Sequence, residues 1–470
     1  MTAIAGDPAL GPRRRGVEIT LVALAMLVTV FAYIDVGFGH SSHFPTDTIT
    51  YGLPLAATFF VAHLAVRRLA PYADPVLLPT AAALNGLGLV LIHRLDLASA
   101  DTARAAHRPP PTSDARLQLM WTIVGILLFV AVLAVIRDHR ILQRYTYTLM
   151  VVGLALLFLP TVLPARFSEV NGAHIWIRVG GLSFEPEEVA KLALEAFFAG
   201  YLVAKRDLLA LAGRRIAGVD LPRGRDLGPV LVAWLASVAV LGLESDIGTS
   251  LMFFGIFIVM LYVATERRSW VVIGIGLFLV GTFAAYHLFA HVKERFVIWL
   301  HPFKYVQGNA YQLVQGLFGL ATGGILGTGL GQGRPGIVPF AKTDFIAATI
   351  GEELGLVGLM AVLVIYILLV ARGLRAALSV RDGFGKLLAV GLAFGLALQV
   401  FVQIGGVTRL IPLTGITLPF LSYGGSSLVA NWMLVALLLR ISDSARRPMS
   451  ALPPSPPTGP DQAMTQVVQA

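Results

Sequence analysis

Residues 248–265 read GTSLMFFGIFIVMLYVAT, an apolar stretch without a charged side chain. A helix needs about 20 mostly apolar residues to cross a bilayer, so this stretch predicts a membrane span. Eleven further stretches of similar length are also mostly apolar. They are residues 17–36, 49–69, 75–94, 117–136, 145–164, 186–204, 227–243, 270–290, 346–371, 385–406 and 424–441. We therefore predict an all-α, polytopic membrane protein with about 12 transmembrane helices and a large extracytoplasmic loop, 291–345.

The composition of the 470-residue chain excludes several classes of protein. Hydrophobic residues make up 56% and charged residues 13%, and the mean hydropathy is +0.76, which excludes a water-soluble enzyme. The chain has no cysteine, so disulfides, thiolate metal sites and a cysteine nucleophile are excluded. The net charge of +9 is typical of a membrane protein facing anionic lipid, and we do not interpret it as nucleic-acid binding.

The basic residues between the spans predict the orientation. If the amino terminus is cytoplasmic, most of the 36 Lys and Arg residues fall in cytoplasmic segments, although loop 95–116 runs against this bias. Cytoplasmic loops are enriched in Lys and Arg, so we expect a multi-pass protein of the plasma membrane with both termini cytoplasmic. Residues 1–16 and the Pro- and Ser-rich residues 442–470 are predicted cytoplasmic tails, the second of them disordered.

A stripe of charged residues lies in the predicted span 186–204. Glu188, Lys191 and Glu195 fall on one face of a helix, and charged groups in hydrocarbon must face protein or a wet cavity. The preceding outer loop contains Asn171, Trp176 and Arg178. The stripe is either a structural ion pair that fixes helix packing or a substrate site, in which an ammonium suits a phosphate group.

Two aspartates outside the spans each have two interpretations. Asp246 either caps the next helix or, with Glu244, binds a divalent cation. Asp344 follows a segment with ten glycines between Gly308 and Gly336, and it either caps the next helix or belongs to a functional site. The start of the glycine-rich segment, 311–318, has helical periodicity and predicts a helix in the membrane interface.

The segment 405–427 is predicted to enter the bilayer without helical structure. It contains Pro412 and Pro419, and paired glycines precede the last span. Irregular backbone at membrane depth is tolerated only against protein or a wet cavity. All four polar regions lie on the outer side in the predicted orientation, so we expect one outward-opening cavity.

The four regions together resemble the SEDS family (RodA/FtsW), bacterial membrane glycosyltransferases that polymerise peptidoglycan. The resemblance rests on NGAHIWI and EPEEVAK in 171–191, ESDIGTSL from 244, GNAYQLVQGLFGLATGGILGTGLGQG from 308, TDFIAATIGEELGLVG from 343 and PLTGITLPFLSYGGSS from 412. Glu185, Glu187 and His174 depart from the family pattern. The last motif resembles the elongation-type RodA branch more than the division-type FtsW branch. The match covers residues 75–441, so residues 17–74 form two additional helices before a ten-helix core.

The resemblance implies lipid II as substrate, undecaprenyl pyrophosphate as leaving group, Asp344 as the catalytic general base, and a role in cell elongation and cell shape. The predicted substrate-binding residues are Lys191, Glu188, Arg178, Trp176, Asn171, Asp246, Gln312, Gln315, Arg409 and Ser422. The predicted structural residues are Glu195, Glu352, Glu353, Gly424 and Gly425. No metal ligand and no cofactor are assigned, a divalent cation being an option. The expected partners are membrane lipid and a class B penicillin-binding protein, a transpeptidase.

Alternative functions use the same charged cavity. A flippase or transporter for lipid II needs no general base, and a division-type FtsW role needs the same chemistry at another place in the cell. Polymerisation of lipid II in detergent separates an enzyme from a flippase, because detergent offers no two sides to move between.

Overall fold

The structure is a computed structural model, and it describes most of the chain. The described residues are 15–40, 47–170, 173–174, 176–179, 182–210, 212–216, 219–222, 232, 235–236, 239 and 246–448. Most of both predicted tails, 1–14 and 449–470, and nearly all of the predicted span 227–243 lie outside the described residues.

Sixteen α-helices make up the described part of the chain. They are α1 (Arg15–His40), α2 (Asp47–Leu69), α3 (Leu77–Ala105), α4 (Asp114–Val135), α5 (Ile141–Arg144), α6 (Thr146–Val162), α7 (Ala165–Ser168), α8 (Glu187–Ala210), α9 (Ile247–Thr265), α10 (Arg268–Leu288), α11 (Ala290–Leu300), α12 (Tyr311–Gly323), α13 (Ile346–Glu353), α14 (Gly355–Ser379), α15 (Gly383–Val407) and α16 (Gly425–Arg446). Two short 3₁₀ helices cover Pro302–Tyr305 and Pro335–Ile337.

Within the described residues, strands are confined to three small antiparallel hairpins. They pair β1 (Glu169–Val170) with β2 (Ala173–His174), β3 (Ile177–Val179) with β4 (Leu182–Phe184), and β5 (Ala212–Ile216) with β6 (Val219–Pro222). The predicted all-α fold class is confirmed.

Nine described helices are long and apolar enough to cross a membrane, namely α1, α2, α3, α4, α9, α10, α14, α15 and α16. The predicted spans 145–164 and 186–204 correspond to the shorter α6 and to α8, whose charged stripe lowers its hydropathy. The protein is therefore a multi-pass membrane protein, and its apolar helices lie where the sequence predicts them.

The last helix, α16, forms the centre of the bundle. It packs against α3, α4, α14 and α15, and 89% of its most apolar 18-residue stretch is buried. Trp432 is fully buried, and its indole N–H donates to the side-chain oxygen of Asn85 on α3 over 3.1 Å. By contrast α10 lies at the edge of the bundle, and only 11% of its most apolar 18-residue stretch is buried.

The predicted helix 346–371 is broken in the structure, and this part of the prediction is wrong. Gly355 has φ +69°, which interrupts the helix between α13 and α14. The N–H groups that the break leaves free donate elsewhere: that of Leu356 to the carbonyl of Gly324 and that of Val357 to the carbonyl of Ile325. Backbone carbonyls of the glycine-rich segment thus replace the lost helical hydrogen-bond partners.

The helix α16 continues five residues past the predicted span, into the predicted cytoplasmic tail. The carboxylate of Asp443 accepts from the side chain of Arg447 over 2.8 Å and from the backbone N–H of Tyr72 over 2.8 Å. Arg446 donates to the buried Asp74. The contacts with Tyr72 and Asp74 anchor the end of α16 against the turn that precedes α3.

Candidate active site

Asp344 lies between the glycine-rich segment and α13, and tertiary contacts hold its side chain. The Thr343 hydroxyl donates to one carboxylate oxygen over 2.9 Å, and the Gln312 amide of α12 donates to the other over 3.3 Å. The backbone carbonyl of Asp344 accepts from Gln403 on α15 over 2.7 Å. The N-cap of α13 is Phe345, without a capping side chain, so the cap interpretation of Asp344 is wrong.

Burial raises the pKa of Asp344 above the usual value for aspartate. The hydrogen bonds from Thr343 and Gln312 and the positive charge of Arg295 act in the opposite direction. A carboxylate whose pKa moves toward neutral pH is a stronger proton acceptor at that pH. The raised pKa of Asp344 therefore suits a proton acceptor.

The charged stripe of α8 faces the protein interior, as its spacing predicts. Glu188, Lys191 and Glu195 are only 7%, 8% and 1% exposed. The Lys191 ammonium donates to Glu188 over 2.8 Å and to the side-chain oxygen of Gln399 on α15 over 2.8 Å. Both carboxylate oxygens of Glu195 are buried with no hydrogen-bond partner among the described residues.

Helix α15 links this stripe to Asp344. Gln399 contacts Lys191 and Gln403 contacts Asp344. Residues four apart on a helix lie on the same face about one turn apart, so Lys191 and Asp344 lie on the same side of α15. Sequence reasoning did not single out these glutamines, although their spacing in an otherwise apolar span was a usable signal.

Residues 422–425 run alongside the segment that carries Asp344. The Ser422 hydroxyl donates to the carbonyl of Thr343, and the Tyr423 N–H donates to the carbonyl of Lys342 over 2.7 Å. Gly424 donates its N–H to the side chain of Gln118 over 3.4 Å. The irregular backbone between α15 and α16 is therefore hydrogen-bonded to the loop before α13.

Residues 75–447 match the cell cycle protein family that groups FtsW, RodA and SpoVE. The chain belongs to this family. It is 52% identical to the peptidoglycan glycosyltransferase RodA of Mycobacterium tuberculosis over 442 residues, 94% of this chain and 93% of that protein. It is 36% identical to stage V sporulation protein E of Bacillus subtilis, over 71% of this chain and 87% of that protein.

One solved structure supports the fold of the FtsW/RodA/SpoVE family for this chain. That structure is described as the structural coordination of polymerization and crosslinking by a peptidoglycan synthase complex. It has a TM-score of 0.54 and 28% sequence identity, and it covers 85% of this chain and 98% of that chain.

The family match begins after α1 and α2, yet the M. tuberculosis RodA aligns with more of the chain. Its 442 aligned residues exceed the 396 that follow residue 74. That relative therefore shares at least part of the two added helices.

The two arginines among the predicted substrate-binding residues occupy different surroundings. Arg409 donates to the carbonyls of Trp299 and Leu300 at the end of α11 over 2.8 and 3.1 Å, so backbone groups occupy its guanidinium. Arg178 is exposed on β3. The structure thus records no contact of either with Lys191 or Asp344 in the part of the chain that it describes.

Arg295 of α11 is a cation that sequence reasoning missed. It donates to the carbonyl of Leu413 over 2.8 Å and lines an apolar groove of about 460 Å³ between α9, α10, α11 and α15. Its positive charge acts on both Asp344 and Asp246. No sequence pattern set it apart from the neighbouring Lys293.

The remaining predicted site residues fall at several places. Trp176 is half-buried before β3, and Gln315 is half-buried one turn beyond Gln312 on α12. Asn171 lies outside the described residues. Asp246 caps α9, since its carboxylate accepts from the N–H of Thr249 over 2.9 Å.

The predicted cation site is therefore only partly visible. Its second carboxylate, Glu244, lies outside the described residues, and the described residues contain no group of three or more His, Cys, Asp or Glu placed to hold a metal.

The acidic pair at the end of α13 anchors the glycine-rich segment. Glu352 accepts from the N–H of Arg334 over 2.6 Å. Glu353 accepts from Arg94 of α3 over 2.9 Å and from the N–H of Gly331 over 3.3 Å. Both carboxylates are buried, so they fix the backbone behind Asp344 and do not face an open cavity.

A second charged cluster, which the sequence did not reveal, lies two residues before Asp344. The Lys342 ammonium donates to Asp96 of α3 over 2.6 Å and to Asp114 of α4 over 2.8 Å. Residues 342–344 are thus attached to α3 and α4 on one side and to α12 and α15 on the other.

Proposed function

We propose that this chain is a peptidoglycan glycosyltransferase that polymerises lipid II into glycan strands. The observation that carries the proposal is the arrangement around α15, where Gln403 holds the backbone of the half-buried Asp344 one helical turn along from Gln399, which holds the buried ammonium of Lys191. An acid–base group beside a cation suits sugar transfer from a pyrophosphate donor. The 52% identity to a relative named for this activity supports the same function.

In the proposed reaction Asp344 accepts the proton of the acceptor 4-hydroxyl as its oxygen attacks C1 of the donor sugar. The bond from C1 to the pyrophosphate oxygen breaks, and undecaprenyl pyrophosphate leaves with the electron pair. General-base assistance of this kind contributes about 10²- to 10⁴-fold in rate. A single displacement inverts the configuration at C1.

The cations near Asp344 suit the leaving pyrophosphate. Lys191 and Arg295 stabilise the negative charge that develops there, as fixed cations do in other transferases. The apolar groove beside Arg295 suits a polyprenyl chain, because it lies between helices and is lined by Leu251, Phe254 and Phe401 among others. The lipid tail would remain between helices while the sugars meet at the outer surface.

The site requires an outward-facing orientation in the bacterial plasma membrane, with both termini cytoplasmic, since the glycan product lies outside. The proposed catalytic core is residues 75–441, after two additional helices in 17–74. A class B penicillin-binding protein is the proposed partner, which would cross-link the strands that this chain makes. The likeness to a solved peptidoglycan synthase complex supports such an assembly.

We assign the enzyme to cell elongation. The relatives named RodA are 51–52% identical to this chain, whereas those named FtsW are 32–33% identical. The division-type role is the alternative for the same chemistry.

The test is polymerisation of purified lipid II in detergent, with and without the partner. The parent chain is expected to give long glycan strands, and Asp344→Asn none, while Asp207→Asn at the exposed far end of α8 retains activity. A parent chain that leaves lipid II unpolymerised but moves it across liposomes would assign a flippase. Polymerisation by Asp344→Asn at the parent rate would refute the general base.

A further inference from the structure

We propose that the two added helices, α1 and α2, brace the backbone that carries Asp344, with Tyr51 as the main positioning residue. The inference rests on the proposed function for its effect on turnover. The brace has two contacts. One runs through side chains to Lys342, and the other joins the end of α1 to the glycine-rich segment.

The side-chain contact begins at the buried hydroxyl of Tyr51. It lies 3.2 Å from the hydroxyl of Ser113, which donates to Asp96 over 2.9 Å. Because the Ser113 hydroxyl donates its only hydrogen to Asp96, Tyr51 must be the donor to Ser113. Asp96 in turn accepts from Lys342 over 2.6 Å. A continuous hydrogen-bonded path thus connects α2 with a residue two positions before Asp344.

The ring of Tyr51 is fixed on two sides. It stacks on Tyr33 of α1, with 5.9 Å between ring centroids and 4° between planes, and it contacts His93 of α3 at 5.1 Å. Asp47 lies 3.6 Å from the same His93. The hydroxyl of Tyr51 therefore has a defined direction, which a hydrogen bond at the end of a path requires.

The second contact is a close approach of backbones. A methyl group on Gly39, near the end of α1, would lie 2.6 Å from the carbonyl oxygen of Leu330 and 3.3 Å from the Cα of Gly331. Gly331 has φ +83° and donates its N–H to Glu353 of α13. The end of α1 is thus held against the segment that anchors the helix following Asp344.

The two contacts flank the base. Lys342 precedes Asp344 by two residues, and Glu353 belongs to the helix that begins two residues after it. A general base works only when it is held within hydrogen-bond reach of the proton that it accepts. Loosening the brace is therefore expected to lower kcat and to leave KM, which reports binding elsewhere in the cavity, unchanged.

The test compares two matched variants of the full chain with its partner. Tyr51→Phe removes the hydroxyl that donates to Ser113 and keeps the ring stack. Tyr33→Phe removes a buried hydroxyl that has no hydrogen-bond partner among the described residues, from the other ring of the same stack. We expect Tyr51→Phe to lower kcat about two- to tenfold, the effect of one hydrogen bond, with unchanged KM. Tyr33→Phe is expected to keep the parent values.

Hydrogen–deuterium exchange supplies a readout that does not depend on activity. Tyr51→Phe is expected to speed exchange over residues 340–345, and Tyr33→Phe is not. Ser113→Ala combined with Tyr51→Phe is expected to match Ser113→Ala alone, because loss of the Ser113 hydroxyl already breaks the path, together with its bond to Asp96 and its cap on α4. Equal effects of the two tyrosine variants, or unchanged exchange in Tyr51→Phe, would overturn the brace.

The remaining outcomes are also decisive. Faster exchange with an unchanged kcat would overturn the role of the brace in turnover. Faster exchange in Tyr51→Phe, found with a parent chain that makes no glycan, would refute the proposed function and leave the brace standing.

Discussion

The side-chain amide of Gln403 lies 2.7 Å from the backbone carbonyl oxygen of Asp344, while Gln399, one turn earlier on α15, lies 2.8 Å from the Lys191 ammonium. Two neutral amides on one helix thus position the two charged groups to which we assign the chemistry. Neither glutamine carries charge, so α15 can place both groups without altering their electrostatics strongly.

This relationship predicts that Gln403→Leu lowers turnover without unfolding the protein. Loss of the hydrogen bond to the Asp344 carbonyl costs about 0.5–1.5 kcal/mol and lets the base move, so kcat is expected to fall about two- to tenfold. The assay is lipid II polymerisation at saturating substrate. Gln143→Leu, at an exposed position on α5, is the control for the same exchange of side chains. An unchanged kcat in Gln403→Leu would remove Gln403 from the positioning of Asp344.

Lys191 is predicted to serve both folding and turnover, and two variants separate these effects. Lys191→Gln leaves Glu188 buried without its cation, and breaking a buried pair costs about 3–5 kcal/mol, so the thermal midpoint in detergent is expected to fall. The double variant Glu188→Gln with Lys191→Gln restores a neutral, hydrogen-bonded pair and most of the midpoint. Polymerisation is expected to stay lost in both, because the pyrophosphate lacks its cation. Full activity in the double variant would make the pair structural only.

The pH dependence of turnover is predicted to report Asp344. Its pKa is raised by burial, and a base acts only when deprotonated, so activity is expected to fall as pH is lowered through that raised pKa. Thr343→Val removes a hydrogen bond that favours the charged form, which raises the pKa further. The acid limb of kcat/KM is therefore expected to move to higher pH in Thr343→Val, and likewise in Gln312→Leu. An acid limb at the parent pH in both variants would contradict this assignment.

The sequence predicted the parts of the fold that depend on local composition. Membrane spans such as α9 could be predicted directly, because a helix that crosses the bilayer needs about 20 mostly apolar residues. The break at Gly355 could not be predicted, since residues 346–371 are apolar apart from Glu352 and Glu353, and the carbonyls that accept the freed N–H groups belong to 324–325.

In the candidate site, too, only the features that depend on local sequence could be predicted. The stripe of α8 follows from helical spacing, and Asp344 from a motif. The preference of aspartate for helix N-caps nevertheless made Asp344 a plausible cap. Its side chain and backbone carbonyl instead bind Gln312 and Gln403, which come from two distant helices. The ion pairs of Lys342 could not be predicted either, because its partners Asp96 and Asp114 lie more than 200 residues earlier in the chain.

The start of α16 offers a last prediction, about stability. A methyl group on Gly425 would lie 2.3 Å from the indole of Trp121 on α4, a half-buried ring that packs against the core. Gly425→Ala is expected to destabilise the protein by about 1–3 kcal/mol, as overpacked cores do, and to displace the adjoining Ser422 from the loop of Asp344. Gly276→Ala on α10 is the control, because a methyl group there meets nothing within 4 Å and alanine favours a helix over glycine by about 1 kcal/mol. Thermal unfolding in detergent measures both variants, and equal midpoints would show that α16 and α4 can separate to admit the methyl group.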